Sequence, residues 1–239
     1  MKSGFLALLA LLWLGGGLIL NAAQEPDSYQ PLREQMVAQQ LQARGISDAR
    51  VLAAMGRVPR HLFVPPGLAS RAYGDHPLPI GSGQTISQPY IVALMTEWAE
   101  IKPGQKVLEV GTGSGYQAAV LAELTDKVFS IDIRPELADK AANLLKSLNY
   151  PQVKVKSGDG YQGWPAEAPF DAILVTAAGT RVPPALEAQL REGGRLVIPL
   201  GPAGGVQTLT RFRQTQGKLR EDSRLPVSFV PLVEPQGVK

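Results

Sequence analysis

Cysteine is absent from this sequence, which excludes disulfide frameworks, thiolate zinc sites, cysteine nucleophiles and lipid attachment through a leader cysteine together. Histidine is nearly absent. His61 and His76 stand far from any HExxH or His-rich spacing, so no metal site is expected. An excess of charge is lacking too: 24 basic against 21 acidic residues give a formal +3, and the basic residues are dispersed among acids. A nucleic-acid footprint needs Lys and Arg clustered along one face, so nucleic acid is not an expected partner. What remains, 44% hydrophobic and 19% charged over 239 residues, suffices to bury one substantial core, and a single α/β domain is the natural expectation.

The chain opens unlike a domain. No residue between Lys2 and Glu25 is charged, and Gly4 to Leu20 is a continuous apolar stretch behind one basic residue. Residues 1–23 therefore read as a signal peptide or an N-terminal membrane anchor. The length falls between a cleaved hydrophobic region and a full span, and both stay open. A buried core helix fits less well, because the stretch is apolar on every face and precedes a polar linker at 24–30.

Residues 31–80 read as a small helical cap. Leu32, Met36, Val37 and Leu41 recur at helical spacing until Gly45, and Ser47 is the expected cap of a second segment carrying Val51, Leu52 and Met55. Arg60 to Pro66 and the glycine-rich turn at Gly81 to Gly83 suit loops. Pro89 suits the first turn of a helix running to about Ile101, with Ser87 or Gln88 at its N-cap. From Lys106 onward short β-rich runs (KVLEV, VFSID, VKVKS, FDAILV, RLVIP) alternate with helix-length segments at Gln117 to Leu124 and Pro135 to Leu148. That alternation predicts a mostly parallel sheet with helices on both faces. Two or three further strand-like runs between Val206 and Leu232, with a turn at Gln216-Gly217, predict an antiparallel addition at the sheet edge.

The densest motif is VLEVGTGSGYQ, which holds Glu109, Gly111, Gly113, Gly115 and Tyr116. It is a buried strand ending in three alternating glycines just before a helix. Glycine there lets the backbone turn sharply and approach a ligand closely. Tyr116 fills the position where a dinucleotide fingerprint needs glycine or alanine, which argues against NAD. Asp132 ends the next predicted strand, where a carboxylate can accept from both ribose hydroxyls. Asp159, in Gly158-Asp159-Gly160, ends the one after and is placed to accept from an adenine amine. Taken singly each acid is more often a turn residue. Arriving in order on successive strands, they point to an adenosine-containing ligand without a pyrophosphate cradle, for which S-adenosylmethionine fits best.

Read together, Gly83-Gln84-Thr85-Ile86-Ser87-Gln88-Pro89, the glycine motif, GDG, FDAILVTAA, GGRLVIPLG and the closing Val227-Ser228-Phe229-Val230-Pro231-Leu232 resemble the protein-L-isoaspartate O-methyltransferase family, over about residues 31 to 233. The resemblance implies a Rossmann-like methyltransferase fold with an unusual order of the last strands, S-adenosylmethionine as methyl donor, and isoaspartyl proteins or peptides as acceptors. It further implies Ser87 as the active-site residue, with Gln84, Thr85 and Ile86 covering cofactor and acceptor; residues 234–239 fall outside it as a tail. A carboxylate acceptor is ionised at neutral pH and needs no general base, so the lack of a catalytic His or Cys is no obstacle. From the residues alone, Ser87 is equally a helix N-cap or a hydroxyl donor to the acceptor. His61 reads as a loop histidine packed against the cap. Tyr90 and Val233 stand where relatives differ, and no contact is assigned to them. A related methyltransferase acting on a small molecule or RNA, or a non-catalytic binding protein of the same fold, are the alternatives. The leader points to the cell envelope, with residues 4–20 the only expected membrane contact; the family resemblance points to the cytoplasm as the alternative.

Overall fold

The computed structural model of the chain describes residues 28–233, so the expected leader, most of the linker and the 234–239 tail lie outside the described residues. Helix α1 (Gln30–Gln35) starts with Pro31 in its first turn and runs straight into a π-helical segment, Met36–Leu41, then a tight turn at Gln42–Arg44 closed by left-handed Gly45. The wide turn has a physical effect. Met36 and Leu41, five apart, share the buried face, while Leu32 is left 41% exposed. Helix α2 (Ala49–Arg57) is capped by Asp48, whose carboxylate accepts from Arg50 N at 2.8 Å, and not by Ser47. Ser47 instead donates its amide to Glu97 Oε1 at 2.7 Å, tying the two parts of the cap to the next helix but one.

Arg60 to Pro66 is no plain loop. Two 3-10 turns, Arg60–Phe63 and Pro66–Arg71, fold around the Arg60 side chain, which is completely buried. Gly81 to Gly83 likewise belongs to a hairpin. Strands β1 (Leu78–Gly81) and β2 (Gln84–Ile86) pair antiparallel across Ser82 and Gly83, both at positive φ as a two-residue hairpin turn requires. Strands this short carry no readable alternation. Helix α3 (Pro89–Trp98) has Gln88 at its N-cap and stops short of Ile101, where Glu100 adopts positive φ.

The rest is the expected alternation: β3 (Lys106–Val110), α4 (Tyr116–Ala122), β4 (Lys127–Asp132), α5 (Pro135–Ser147), β5 (Lys154–Ser157), β6 (Phe170–Val175), α6 (Pro184–Ala188), β7 (Leu190–Leu200), β8 (Gln207–Thr215) and β9 (Lys218–Val227). The seven strands lie in the order β5-β4-β3-β6-β7-β8-β9, the first five parallel and the last two antiparallel. Strand β3 is apolar on both faces because both are covered. Val107 joins the cluster that includes α3, α4 and the cap, while Leu108 and Val110 join a second cluster that includes Leu186 of α6. The chain enters the sheet at β3, winds outward to β5, then crosses back to β6 on the other side. That reversal opens a crevice at the carboxyl ends of β3, β4 and β6. Of the two or three strands expected at the C-terminal edge, two form. Residues 228–233 then cross back over the sheet, where Ala178 N donates to Val230 O and Leu232 N to Ala178 O, each at 2.8 Å. Among the described residues no helix is long and apolar enough to cross a membrane.

Candidate active site

The crevice is built from the bend after β3. Gly111, Gly113 and Gly115 all take positive φ. At Gly111 the need for glycine is steric as well: a Cβ there would stand 2.3 Å from Thr176 Oγ1, which donates to Gly111 O at 2.6 Å. Asp132, at the tip of β4, holds the bend in place. Its Oδ2 accepts from Gly113 N at 2.8 Å and its Oδ1 from Arg134 N at 2.9 Å. One strand over, Glu109 is fully buried; Ser130 Oγ donates to its Oε2 and lies 2.6 Å from Thr112 Oγ1. Burial pushes the Glu109 carboxyl up to about 8, with the Ser130 bond pulling the other way and the Asp132 charge adding to the rise. Glu109 Oε1 and Gln117 Oε1 are both buried with no hydrogen-bond partner among the described residues. Gln117 is oriented by its amide nitrogen, which donates to Thr96 Oγ1 at 2.8 Å.

A central cavity of about 520 Å³ gathers most of the expected residues: Gln84, Thr85, Ile86 and Ser87 from the hairpin side, and Glu109, Gly111, Gly113, Tyr116 and Asp132 from the sheet side. Toward β5 it shares Gln84, Gly111, Asp132 and Ala177 with a cavity of about 370 Å³ that adds Gly160, Leu232 and Val233. On the opposite side it shares Thr85, Ser87, Thr176 and Val230 with a space of about 730 Å³ bounded further by Pro77, Gln88, Ile91, Ser228 and Phe229. The three form one continuous cleft, and Ser87 stands where the central and the third part meet.

Three expected residues are placed differently from the rest. Gly115 shapes the bend, its would-be Cβ 3.2 Å from Ala141, without lining the cleft. Asp159 does not line it either: its Oδ1 accepts from Tyr161 N at 2.9 Å, the turn-forming use of an aspartate, while neighbouring Gly160 does line the cleft. Tyr116 begins α4 at the cleft, but its ring is packed into the cap, edge-on to Phe63 at 5.4 Å. His61 packs as expected, stacked on Tyr29 and 2.8 Å from Tyr73 OH. The Tyr90 ring lies under Arg44 at 3.6 Å. Ser87 is not the cap of α3, and its carbonyl accepts from Arg60 Nη2 at 2.7 Å. Gln117, Thr176 and Val230 were not anticipated. Thr176 follows the carboxyl end of β6, the same strand-end position that singles out Asp132.

The family model for protein-L-isoaspartate(D-aspartate) O-methyltransferase matches residues 32–237. The chain belongs to this family. A protein-L-isoaspartate O-methyltransferase of Opitutus terrae is 56% identical over 226 residues, covering 95% of this chain and 96% of that one. Among solved structures, a protein-L-isoaspartate O-methyltransferase superposes with a TM-score of 0.75 at 31% identity over 83% of this chain, which spans only 65% of that longer protein. A Plasmodium falciparum chain assigned as a protein-L-isoaspartate O-methyltransferase, solved with S-adenosyl-L-homocysteine, superposes with a TM-score of 0.73 at 28% identity, covering 85% of this chain and 99% of that one. The expected Rossmann-like methyltransferase architecture is thus the observed one, including strands β7, β8 and β9 laid down in chain order. In this member of the protein-L-isoaspartate O-methyltransferase family, a methyl donor of the S-adenosylmethionine type fits the cleft on its own terms. The glycine bend admits a ligand against the backbone, and two buried side-chain oxygens beside it lack partners among the described residues.

Proposed function

We propose that this chain transfers a methyl group from S-adenosylmethionine to the α-carboxylate of L-isoaspartyl residues in damaged proteins or peptides, the step that initiates their repair. One observation carries the reading within the family. Among the described residues, the acceptor part of the cleft, between Pro77, Ser87, Thr176 and Ser228 to Val230, is lined by hydroxyl, amide and apolar side chains and holds no acid to repel a carboxylate. The donor supplies an electrophilic methyl: a carboxylate oxygen forms the new C–O bond as the C–S bond breaks, and the electron pair leaves with sulfur. With the acceptor already ionised near neutral pH, the protein has only to orient it, and positioning alone can supply several kcal/mol of the barrier.

Asp132, Gly111, Gly113, Gly160 and Gln84 to Ile86 are the residues that would hold the donor, Asp132 by accepting from the ribose hydroxyls of the donor. Ser87 would donate its hydroxyl hydrogen to the carboxylate oxygen that does not react. The amides opening α3 add a favourable dipole for an anion at the same place. The test is direct. Methyl-labelled S-adenosylmethionine, the purified protein and an isoaspartyl peptide should give base-labile, methanol-releasing esters. Incorporation no greater than with the matched aspartyl peptide would reject the reading, and base-stable N-methyl products would favour a different acceptor. We also read residues 1–23 as an address to the cell envelope, cleaved or anchoring, with a cytoplasmic location as the alternative. Fractionation of cells expressing the full chain, with N-terminal sequencing of the product, separates these.

A further inference from the structure

Arg60 is among the largest side chains in the protein with no exposure to solvent, and among the described residues no carboxylate pairs with it. Its hydrogen bonds go to carbonyls instead, Nε to Ala72 O and Nη2 to Ser87 O, both at 2.7 Å. Burial draws its pKa down to about 10, which leaves it cationic at neutral pH. Burying a charge in this way opposes folding by several kcal/mol, and a neutral side chain of similar length would fill the space at less expense. Simple packing therefore does not account for an arginine here.

What the guanidinium adds is a rigid fork that reaches three elements at once. One arm holds the second 3-10 turn of the cap at Ala72. Another holds Ser87, at the junction of the donor and acceptor parts of the cleft. Its Cζ lies 4.8 Å from the ring centre of Tyr116, the residue with which α4 leaves the glycine bend. The donor half and the acceptor half of the cleft are thereby referenced to one side chain. We propose that Arg60 is a positioning residue for methyl transfer, which fixes the Ser87 backbone against the start of α4 and so aligns the acceptor with the methyl donor. The inference rests on the proposed activity. A lysine, with one compact charge on a flexible stem, cannot make both carbonyl bonds in the same geometry.

The test uses the whole protein and the variants Arg60→Met and Arg60→Lys. Calorimetric titration with S-adenosylhomocysteine counts the binding-competent sites, and kcat for an isoaspartyl peptide is then expressed per competent site at saturating substrates. In Arg60→Met we expect that value to fall on the order of ten- to a hundredfold, the scale of a misalignment near 1 Å, with a smaller change in S-adenosylhomocysteine affinity. Arg60→Lys should recover part of the loss. A purely structural role would lower the melting temperature and the number of competent sites while leaving kcat per site alone. A value within twofold of the parent in Arg60→Met, or in Arg60→Lys should only that variant bind the ligand, overturns the proposal. Failure of both variants to bind overturns it as well, since Arg60 would then serve folding. Should the parent bind S-adenosylhomocysteine yet methylate no isoaspartyl peptide, the functional reading fails instead.

Discussion

Glutamine at position 109 should make the protein more stable at alkaline pH and change the shape of its stability profile. In the parent, the buried Glu109 carboxyl is held near 8 in the folded chain against 4.5 for the free group. A raised folded-state pKa means that the fold binds the proton more tightly than the unfolded chain does. The stability linked to this group is therefore complete below about pH 4.5, declines as pH rises, and is fully lost above about pH 8. At 1.36 kcal/mol per pKa unit the whole window is worth on the order of 3–5 kcal/mol. For a domain of this size that corresponds to about 6–20 °C in Tm. Glu109→Gln has no proton to lose, so its profile lacks this decline. Thermal melts of both proteins at matched ionic strength, from about pH 5 to about pH 9, should show the gap moving steadily in the variant's favour. Added salt should not close it, because the group is out of reach of counterions. Profiles that run parallel across the range, with the gap constant to about 1 kcal/mol, would refute the reasoning.

Asp132→Ala removes the carboxylate that pins Gly113 and faces the cleft, so S-adenosylhomocysteine should bind more weakly by on the order of 2–3 kcal/mol; calorimetry showing unaltered affinity contradicts the assignment. Ser87→Ala should reduce kcat roughly ten- to a hundredfold with S-adenosylhomocysteine affinity unchanged, and an unchanged kcat removes the hydroxyl from the mechanism. Gly111→Ala places a Cβ against Thr176 in a backbone region that disfavours side chains, for an expected loss of about 2 kcal/mol or more. A melting curve that overlays the parent's would show that the bend tolerates what its geometry forbids.

Legibility in the sequence followed the range of the physical cause. The β3 bend, Asp132 and the α/β alternation are local patterns with fixed spacing, and they stand where the text places them. The cap resisted because its signals compete. Ser47 and Asp48 are equally good caps, and only Glu97, 49 residues away from Asp48, decides by engaging the amides of both. Strands β1 and β2 are too short to alternate, and a turn of two residues between them reads the same as a loop. Arg60 was hidden for the opposite reason: its residue type belongs on surfaces, and nothing nearby announces that three distant carbonyls and rings will enclose it. Asp159 stands at the strand end where the spacing places it, and its Oδ1 accepts from the amide of Tyr161 in the turn that follows. Gln117 and Val230 join the cleft through tertiary placement alone.

Residues 228–233 reach the cleft only after β9 is complete, and they supply walls to both of its ends. A chain clipped after Val227 would keep all nine strands, yet Ser228, Phe229, Val230, Leu232 and Val233 would be missing from the cavity. During translation the scaffold is finished first and the binding surface last, so competence arrives with the final crossing strap. Truncated copies would be inert bystanders, unable to spend methyl donor on substrates they can no longer enclose.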